Sequence, residues 1–267
     1  MDCENKLYAI REVSELTGVK PVTLRAWQRR YNIIQPQRTD KGHRLYTEQH
    51  LEQIKAIQAW LAKGVAIGKV KGLLESGDLN ASVTEQTSRL DEVEPLLQAL
   101  AELSRHRAES IVAAVFKEYP LNIVESRFVN PVFSAIEQMK KGQRSLHFGL
   151  IQSIFSAQLS AIIESENKAA HKGKCLVVSF DVLGALSTKM WSLSLLEQGL
   201  HISLIEGVSD ISGLIDHPSI DKFTHLALHS SQAPSATQVK LLNRLAERLG
   251  DKLISNDLLT SLMAVTE

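Results

Sequence analysis

Between Gly18 and Pro36 the chain is punctuated so closely that only short helices fit. Ile10, Val13, Leu16 and Val19 recur every three residues and form one apolar stripe, and Gly18 marks the end of that first helix. Lys20-Pro21 opens a second helix, because proline at the first helical position lacks only an N–H that would have no partner there. This helix runs to about Arg30. Asn32-Ile33-Ile34-Gln35-Pro36 cannot prolong it, since the residue before a proline avoids helical angles. Two short helices around a glycine-containing turn make a helix-turn-helix.

The next segment changes period. Arg38-Thr39-Asp40-Lys41-Gly42-His43-Arg44-Leu45-Tyr46 places a polar, glycine-ended turn between short extended pieces, which predicts a small β-hairpin. Thr47 caps a helix over 48–63 with Leu51, Ile54, Ile57 and Leu61 on its apolar face, and Gly64 stops it. A short helix around 67–75 follows. Residues 76–88 are small and polar without periodicity and read as a linker. From 89 to about 168 the apolar spacing is helical throughout, beginning with Leu96, Leu97, Leu100 and Leu103, and predicts four helices in a bundle. Beyond Lys172-Gly173-Lys174, a short β-branched run at 176–178 and further strand-like runs at 202–205, 225–228 and 253–255 alternate with helical patterns at 184–198 and 236–249. That order predicts a parallel sheet with helices on both faces.

Charge distinguishes the first module from the rest. Lys and Arg balance Asp and Glu at 30 each over the whole chain, yet from Lys20 to Lys71 there are 11 basic residues against Asp40, Glu48 and Glu52. A solvated face would mix the signs; a local surplus of eight fits a surface that meets a polyanion. With 44% hydrophobic and 22% charged residues the chain has the composition of a globular protein. Its first residues, Met-Asp-Cys-Glu-Asn-Lys, lack the apolar core of a signal peptide, and no unbroken apolar run reaches the ~18 residues of a membrane span. Cys3 and Cys175 lie too far apart in sequence to suggest a disulfide scaffold or a cysteine-rich metal site. A cytoplasmic protein without membrane contact is expected. Phosphate loops, nucleophile elbows, zinc-ligand spacings and paired-carboxylate helices are missing, so no catalytic residue, no metal and no enzymatic activity is expected.

Tyr8-Ala-Ile-Arg-Glu-Val-Ser-Glu-Leu-Thr-Gly-Val-Lys-Pro-Val-Thr-Leu-Arg-Ala-Trp-Gln-Arg-Arg-Tyr31, followed by Arg38 to Tyr46, resembles the winged helix-turn-helix of MerR-family transcriptional regulators over about 70 residues. The Leu-Arg-Ala-Trp-Gln-Arg-Arg-Tyr form is similar to the branch that holds cobalamin photoreceptors and curli and biofilm regulators. A helix lying in the major groove needs donors for phosphates at its ends and for base edges along one face. Lys20, Thr23, Arg25, Arg29 and Arg30 supply them, with Arg25 and Arg29 four apart on one face. The resemblance implies that Arg25 and Trp27 contact the duplex backbone with Tyr31 close by, although a tryptophan on a short helix is equally a core residue. It places His43 at the wing tip in the minor groove, against the alternative of a solvated loop residue, and Arg44 on phosphate. Arg38 contacts phosphate or braces the hairpin against Asp40. Tyr46 packs the wing onto the helices.

The same resemblance implies a helical bundle plus a cobalamin-binding α/β module from about 89 onward, but the ligating residues differ. Met139, three residues before Gly142, stands where that branch carries a tryptophan, and Gly149-Leu150 stand where it carries Glu-His. Ser179 and Asp181, ahead of Gly184, replace the Glu and the cobalt-ligating His of a Glu-x-His-x-x-Gly loop, and Asn256-Asp257 replace a Gly-Gly pair. A carboxylate does not substitute for a neutral imidazole of similar strength on cobalt. No cofactor is therefore expected.

The expected fold is multidomain α+β: a winged helix-turn-helix (1–75), a linker (76–88), a middle four-helix bundle (89–170) and a C-terminal flavodoxin-like α/β domain with a parallel sheet (171–267), degenerate as a cobalamin module. The expected partner is double-stranded promoter or operator DNA, with RNA polymerase or another regulatory protein possible, and with oligomerisation on DNA. A ligand- or cobalamin-sensing repressor with a remodelled pocket, and an anti-regulator whose helix-turn-helix binds protein, are the alternatives.

Overall fold

The computed structural model describes residues 6–76 and 89–264. The expected linker, 76–88, lies outside them apart from Ser76. The chain divides into two compact units, Met1–Ile151 and Gln152–Glu267. The winged module and most of the bundle thus fall within one unit.

In the first unit, β1 (Tyr8–Ala9) leads directly into α1 (Ile10–Thr17), where Glu12 accepts a hydrogen bond from the Ala9 N–H at 2.6 Å. Gly18 ends α1 at φ 71°, a left-handed conformation that strains any residue with a Cβ. α2 (Pro21–Ala26) starts on its proline and continues into a π-helical turn, Trp27–Tyr31. The second helix of the helix-turn-helix, 21–31 and called the reading helix below after the resemblance, thus extends one residue past the expected Arg30. Asn32 closes it at φ 54°. β2 (Gln37–Arg38) and β3 (Arg44–Tyr46) form the expected hairpin, and β1 adds to its far side, giving an antiparallel sheet ordered β1-β3-β2. The strand at Tyr8–Ala9 was not foreseen, because two residues carry no alternation. α3 (Glu48–Ala62) buries Leu51, Ile54, Ile57, Trp60 and Leu61 behind its Thr47 cap, and α4 (Ile67–Ser76) follows.

Four helical stretches come next: α5 (Val93–Ala101); α6 (Arg105–Glu118); α7 (Leu121–Val124), continued through a π-helical turn into α8 (Asn130–Glu137); and α9 (Lys141–Asn167). Polar stitches fasten this part to the winged module. Arg127 donates to the Ala62 carbonyl at 2.6 Å, Lys69 pairs with Asp91 at 3.4 Å, and Tyr119 accepts from the Ile67 N–H while donating to Glu92. α9 is long and apolar enough, by length and composition alone, to cross a membrane. An unbroken apolar run of that length is absent, as expected; the helix passes only on the average over an 18-residue window. Ile151, Ile154, Phe155, Leu159 and Ile163 on this helix are buried in the protein.

The second unit holds four parallel strands, β4 (Lys174–Ser179), β5 (His201–Ile205), β6 (His225–His229) and β7 (Leu253–Ser255), in the order β5-β4-β6-β7. In strand-sequence terms the order is 2-1-3-4, that of one common doubly wound sheet. Leu176, Val178, Leu226 and Leu228 point to one face and pack with α11 (Ser212–Ile215), α12 (Ala236–Leu249) and α13 (Asp257–Ala264). α10 (Leu186–Glu197) covers the other face, where Ser179 and Thr188 share a hydrogen bond of 2.7 Å. On the edge strand β5, the Asn167 amide accepts from the Ile202 N–H at 2.7 Å and donates to its carbonyl at 2.9 Å, so both outward backbone groups are covered.

Candidate nucleic-acid interface

The cations named from sequence lie on two neighbouring elements. Lys20 caps α2; Arg25 is half-buried, and Arg29 and Arg30 are exposed along the reading helix. On the wing, Arg38 faces solvent opposite Arg44 in the strand register. The turn between them is held by three bonds: Thr39 N–H to the His43 carbonyl (2.9 Å), His43 N–H to Thr39 Oγ1 (3.1 Å), and Gly42 N–H to the Thr39 carbonyl (2.8 Å). Gly42 sits at φ 79°, which the tight turn requires and which leaves His43 exposed at the tip. Arg44 donates from Nε to Gln28 Oε1 at 2.7 Å, tying the wing to the reading helix. Gln28 was missed from sequence, because a lone glutamine amid cations carries no signal of its own. Tyr46 is buried beneath, as expected, and burial raises its pKa while the charges of Arg44 and Arg25 draw it back.

Two of the expected contact residues are placed elsewhere. Trp27 is 0% exposed, and its indole N–H donates to the Glu118 carbonyl at 2.7 Å. The tryptophan is therefore a core residue joining the reading helix to α6, and the expectation of a backbone contact is corrected. Thr23, 3% exposed, is likewise turned into the core and offers no donor at the surface. Tyr31 is half-buried and donates its hydroxyl to the Glu118 carboxylate, which also pairs with Arg30. Burial, then Glu92, raise the Tyr31 pKa, so the phenol is a donor at neutral pH.

A second polar cluster stands at the carboxyl ends of β4 and β6, where the strand order reverses and where open α/β sheets usually hold ligands. Asp181 receives the Ser231 N–H (2.8 Å), the Ser231 hydroxyl (2.7 Å), the Ser187 hydroxyl (3.1 Å), the Thr188 hydroxyl (3.3 Å) and His229 Nδ1 (3.1 Å). Burial opposes its charge, but Ser231 and then His229 and Ser187 outweigh that and hold the carboxyl below its ordinary range. His229, buried beside Trp191, has its pKa lowered by desolvation more than Asp181 raises it. The imidazole is neutral at pH 7 and the contact is an Nδ1–H bond to a carboxylate. Asn256 donates its amide to the Ser230 carbonyl at 2.9 Å. His147 lies against the Met139 sulfur at 3.0 Å, His201 is exposed, and His225 touches Thr224 at 3.1 Å. Among the described residues, no group of three or more His, Cys, Asp or Glu is placed to hold a metal ion. The Cys175 thiol is buried and its pKa is pushed up to about 12, which removes thiolate reactivity.

Comparison with known proteins agrees with the winged module. The family model for the MerR HTH family regulatory protein matches residues 8–77. The HTH-type transcriptional regulator MlrA of Escherichia coli K12 is 31% identical over 185 residues, covering 69% of this chain and 73% of that protein. The HTH-type transcriptional repressor CarH of Myxococcus xanthus is 38% identical over 69 residues, 26% of this chain and 23% of its own. The HTH-type transcriptional regulator CueR of Escherichia coli O157:H7 is 30% identical over 101 residues, 38% and 70% respectively. These relatives are regulators and not enzymes. With a helix-turn-helix, a wing and a relative matched over most of both chains, this protein belongs to the MerR family of DNA-binding transcriptional regulators.

Proposed function

We propose that the protein reads a specific duplex sequence in the cytoplasm, with Arg25 and Arg29 on the reading helix and Arg38, His43 and Arg44 on the wing as its contact set, Lys20 at the helix start beside them. The carrying observation is that these side chains are wholly or partly exposed on two elements locked together by Arg44 and Gln28. Phosphate contacts fix register, and a wing-tip imidazole reads the shape of an A·T-rich minor groove. The segmentation into winged module (1–75), bundle (89–170) and α/β module (171–267) is the functional division we infer. Its resemblance to curli and biofilm regulators favours an activator of biofilm-type genes, acting with RNA polymerase or another regulatory protein.

The α/β module serves interaction or regulation without a corrinoid in this reading. A cobalt-ligating group at position 181 would have to present a free nitrogen, whereas both Asp181 oxygens accept hydrogen bonds from protein groups. His229, the nearest imidazole in the cluster, is buried and directs Nδ1 to Asp181. The residues present do not fit a cobalamin ligand set. Two measurements test the proposal. In gel shifts over a salt series, Arg25→Ala and Arg44→Ala each lower the slope of log affinity against log salt by about one unit. Unchanged slopes in both would refute the contact set. Protein incubated with adenosylcobalamin emerges colourless from desalting; a retained red chromophore would refute the corrinoid-free module.

A further inference from the structure

The reading helix divides its side chains between two destinations. Arg29 is exposed and Arg25 half-buried, while Trp27, Arg30 and Tyr31 converge on one residue, Glu118, at the end of α6. The Glu118 side chain is only 5% exposed, yet it takes the Tyr31 hydroxyl and the Arg30 guanidinium on its carboxylate and the Trp27 indole N–H on its main-chain carbonyl. The Arg30 side chain is 51% exposed, so its guanidinium is within reach of solvent while paired to a buried acid. Position 68 on α4 completes the seat: a Cβ on Gly68 would lie 3.6 Å from the Tyr31 ring. Removing one partner of a buried ion pair leaves the other charge uncompensated, which is costly. One cation of the basic surplus is thus neutralised by an acid from a helix outside the winged module.

We propose that Glu118 is an autoinhibitory positioning residue: it holds Arg30 and Tyr31 away from the DNA backbone and fastens the last turn of the reading helix to α6. The inference rests on the DNA-binding reading above. A displacement of α6, by whatever acts on the bundle, releases a guanidinium and a phenol to phosphate. The bundle thereby sets how many cations the reading helix offers.

The test uses the full chain and a fluorescent duplex selected in vitro by the wild-type protein, titrated by anisotropy over a series of KCl concentrations. Glu118→Gln keeps the shape and removes the charge. It should steepen the slope of log affinity against log salt by about one unit, giving roughly eightfold tighter binding at about 0.1 M salt. The double variant R30A/E118Q should return to the wild-type slope. Arg30→Ala alone, with folding checked by circular dichroism, should leave the slope unchanged, which keeps the idea testable even if Glu118→Gln does not fold. A fall of one unit in Arg30→Ala, or weaker binding at an unchanged slope in Glu118→Gln, would overturn the latch while leaving the DNA-binding reading intact. No duplex binding by the wild type or either variant would remove that reading and the latch together.

Discussion

The reading helix with its wing and the polar cluster at the carboxyl ends of β4 and β6 are both rich in hydrogen-bonding groups, but they differ in where those groups are directed. On the wing and reading helix, Arg29, Arg38 and His43 extend into solvent, and the internal bonds serve chiefly to fix the backbone of the turn. In the second unit, Asp181 is surrounded by Ser187, Thr188, His229 and Ser231, each directing a donor at it. Exposed cations held on a rigid frame retain their capacity for an external anion. A carboxylate whose lone pairs are already engaged has little left for a ligand, and its bonds tie together the carboxyl ends of the paired strands β4 and β6 instead. Position at a topological switch point is therefore weaker evidence for a binding site than the state of the donors and acceptors there.

The comparison can be broken most severely at Trp27, which sits on the contact helix yet belongs to the core. Trp27→Ala should cost about 3–5 kcal/mol, as for other fully buried large side chains, and denaturant unfolding would show it in the first unit. A variant of unchanged stability that merely lost DNA affinity would return Trp27 to the contact surface.

At Asp181 the expected loss is smaller. Asp181→Ala leaves the Ser231 N–H and the His229 Nδ1–H without their acceptor and should destabilise the second unit by about 2 kcal/mol, with the salt slope of DNA binding unmoved. Acid should act in the same direction. His229 and Asp181 both have depressed pKa values, so each binds its proton less readily folded than unfolded. Their contribution is complete above the unfolded imidazole value of about 6.5 and declines as pH falls, first through the histidine and further below the ordinary carboxyl range. His229→Asn should flatten the first part of that decline in thermal melts run between neutral and mildly acidic pH. Equal acid sensitivity in the variant would remove His229 from the account.

The smallest effect is expected at the wing tip. His43→Ala takes away an exposed ring with no part in the turn's backbone bonds, so stability should hold. Preference for A·T over G·C at the flanking positions should fall by about 1 kcal/mol, read by competition among duplexes differing only there. A loss spread evenly over all sequences would make His43 a phosphate contact and not a shape reader.

Local structure was legible wherever one or two residues dictate backbone angles. Gly18 and Pro21 bound the first two helices, Gly42 turns the wing, Thr47 and Gly64 bracket α3, and the alternation after Lys174 predicted a parallel sheet. β1 was not legible, since Tyr8 and Ala9 become a strand only by pairing with Tyr46 and Leu45. Exposure was legible for charged side chains, which burial penalises and which therefore stay near the surface unless paired.

By itself, then, the sequence determined the helix-turn-helix, the wing, the sign of charge on that module and the alternation of the C-terminal elements, because each follows from backbone sterics, periodicity or composition acting over a few residues. Tertiary structure alone decided which face of the reading helix meets protein. Periodicity places Thr23, Trp27, Arg30 and Tyr31 on the helix, but Glu118, 91 residues beyond Trp27, is what turns the indole inward and engages Arg30 and Tyr31. The same holds for Asp181, whose donors Ser231 and His229 come from the neighbouring strand β6 and the loop after it, about 50 residues along the chain. Amphipathic and hydrogen-bonding side chains accept either a protein or an external partner, so their role is fixed only when distant segments are brought beside them.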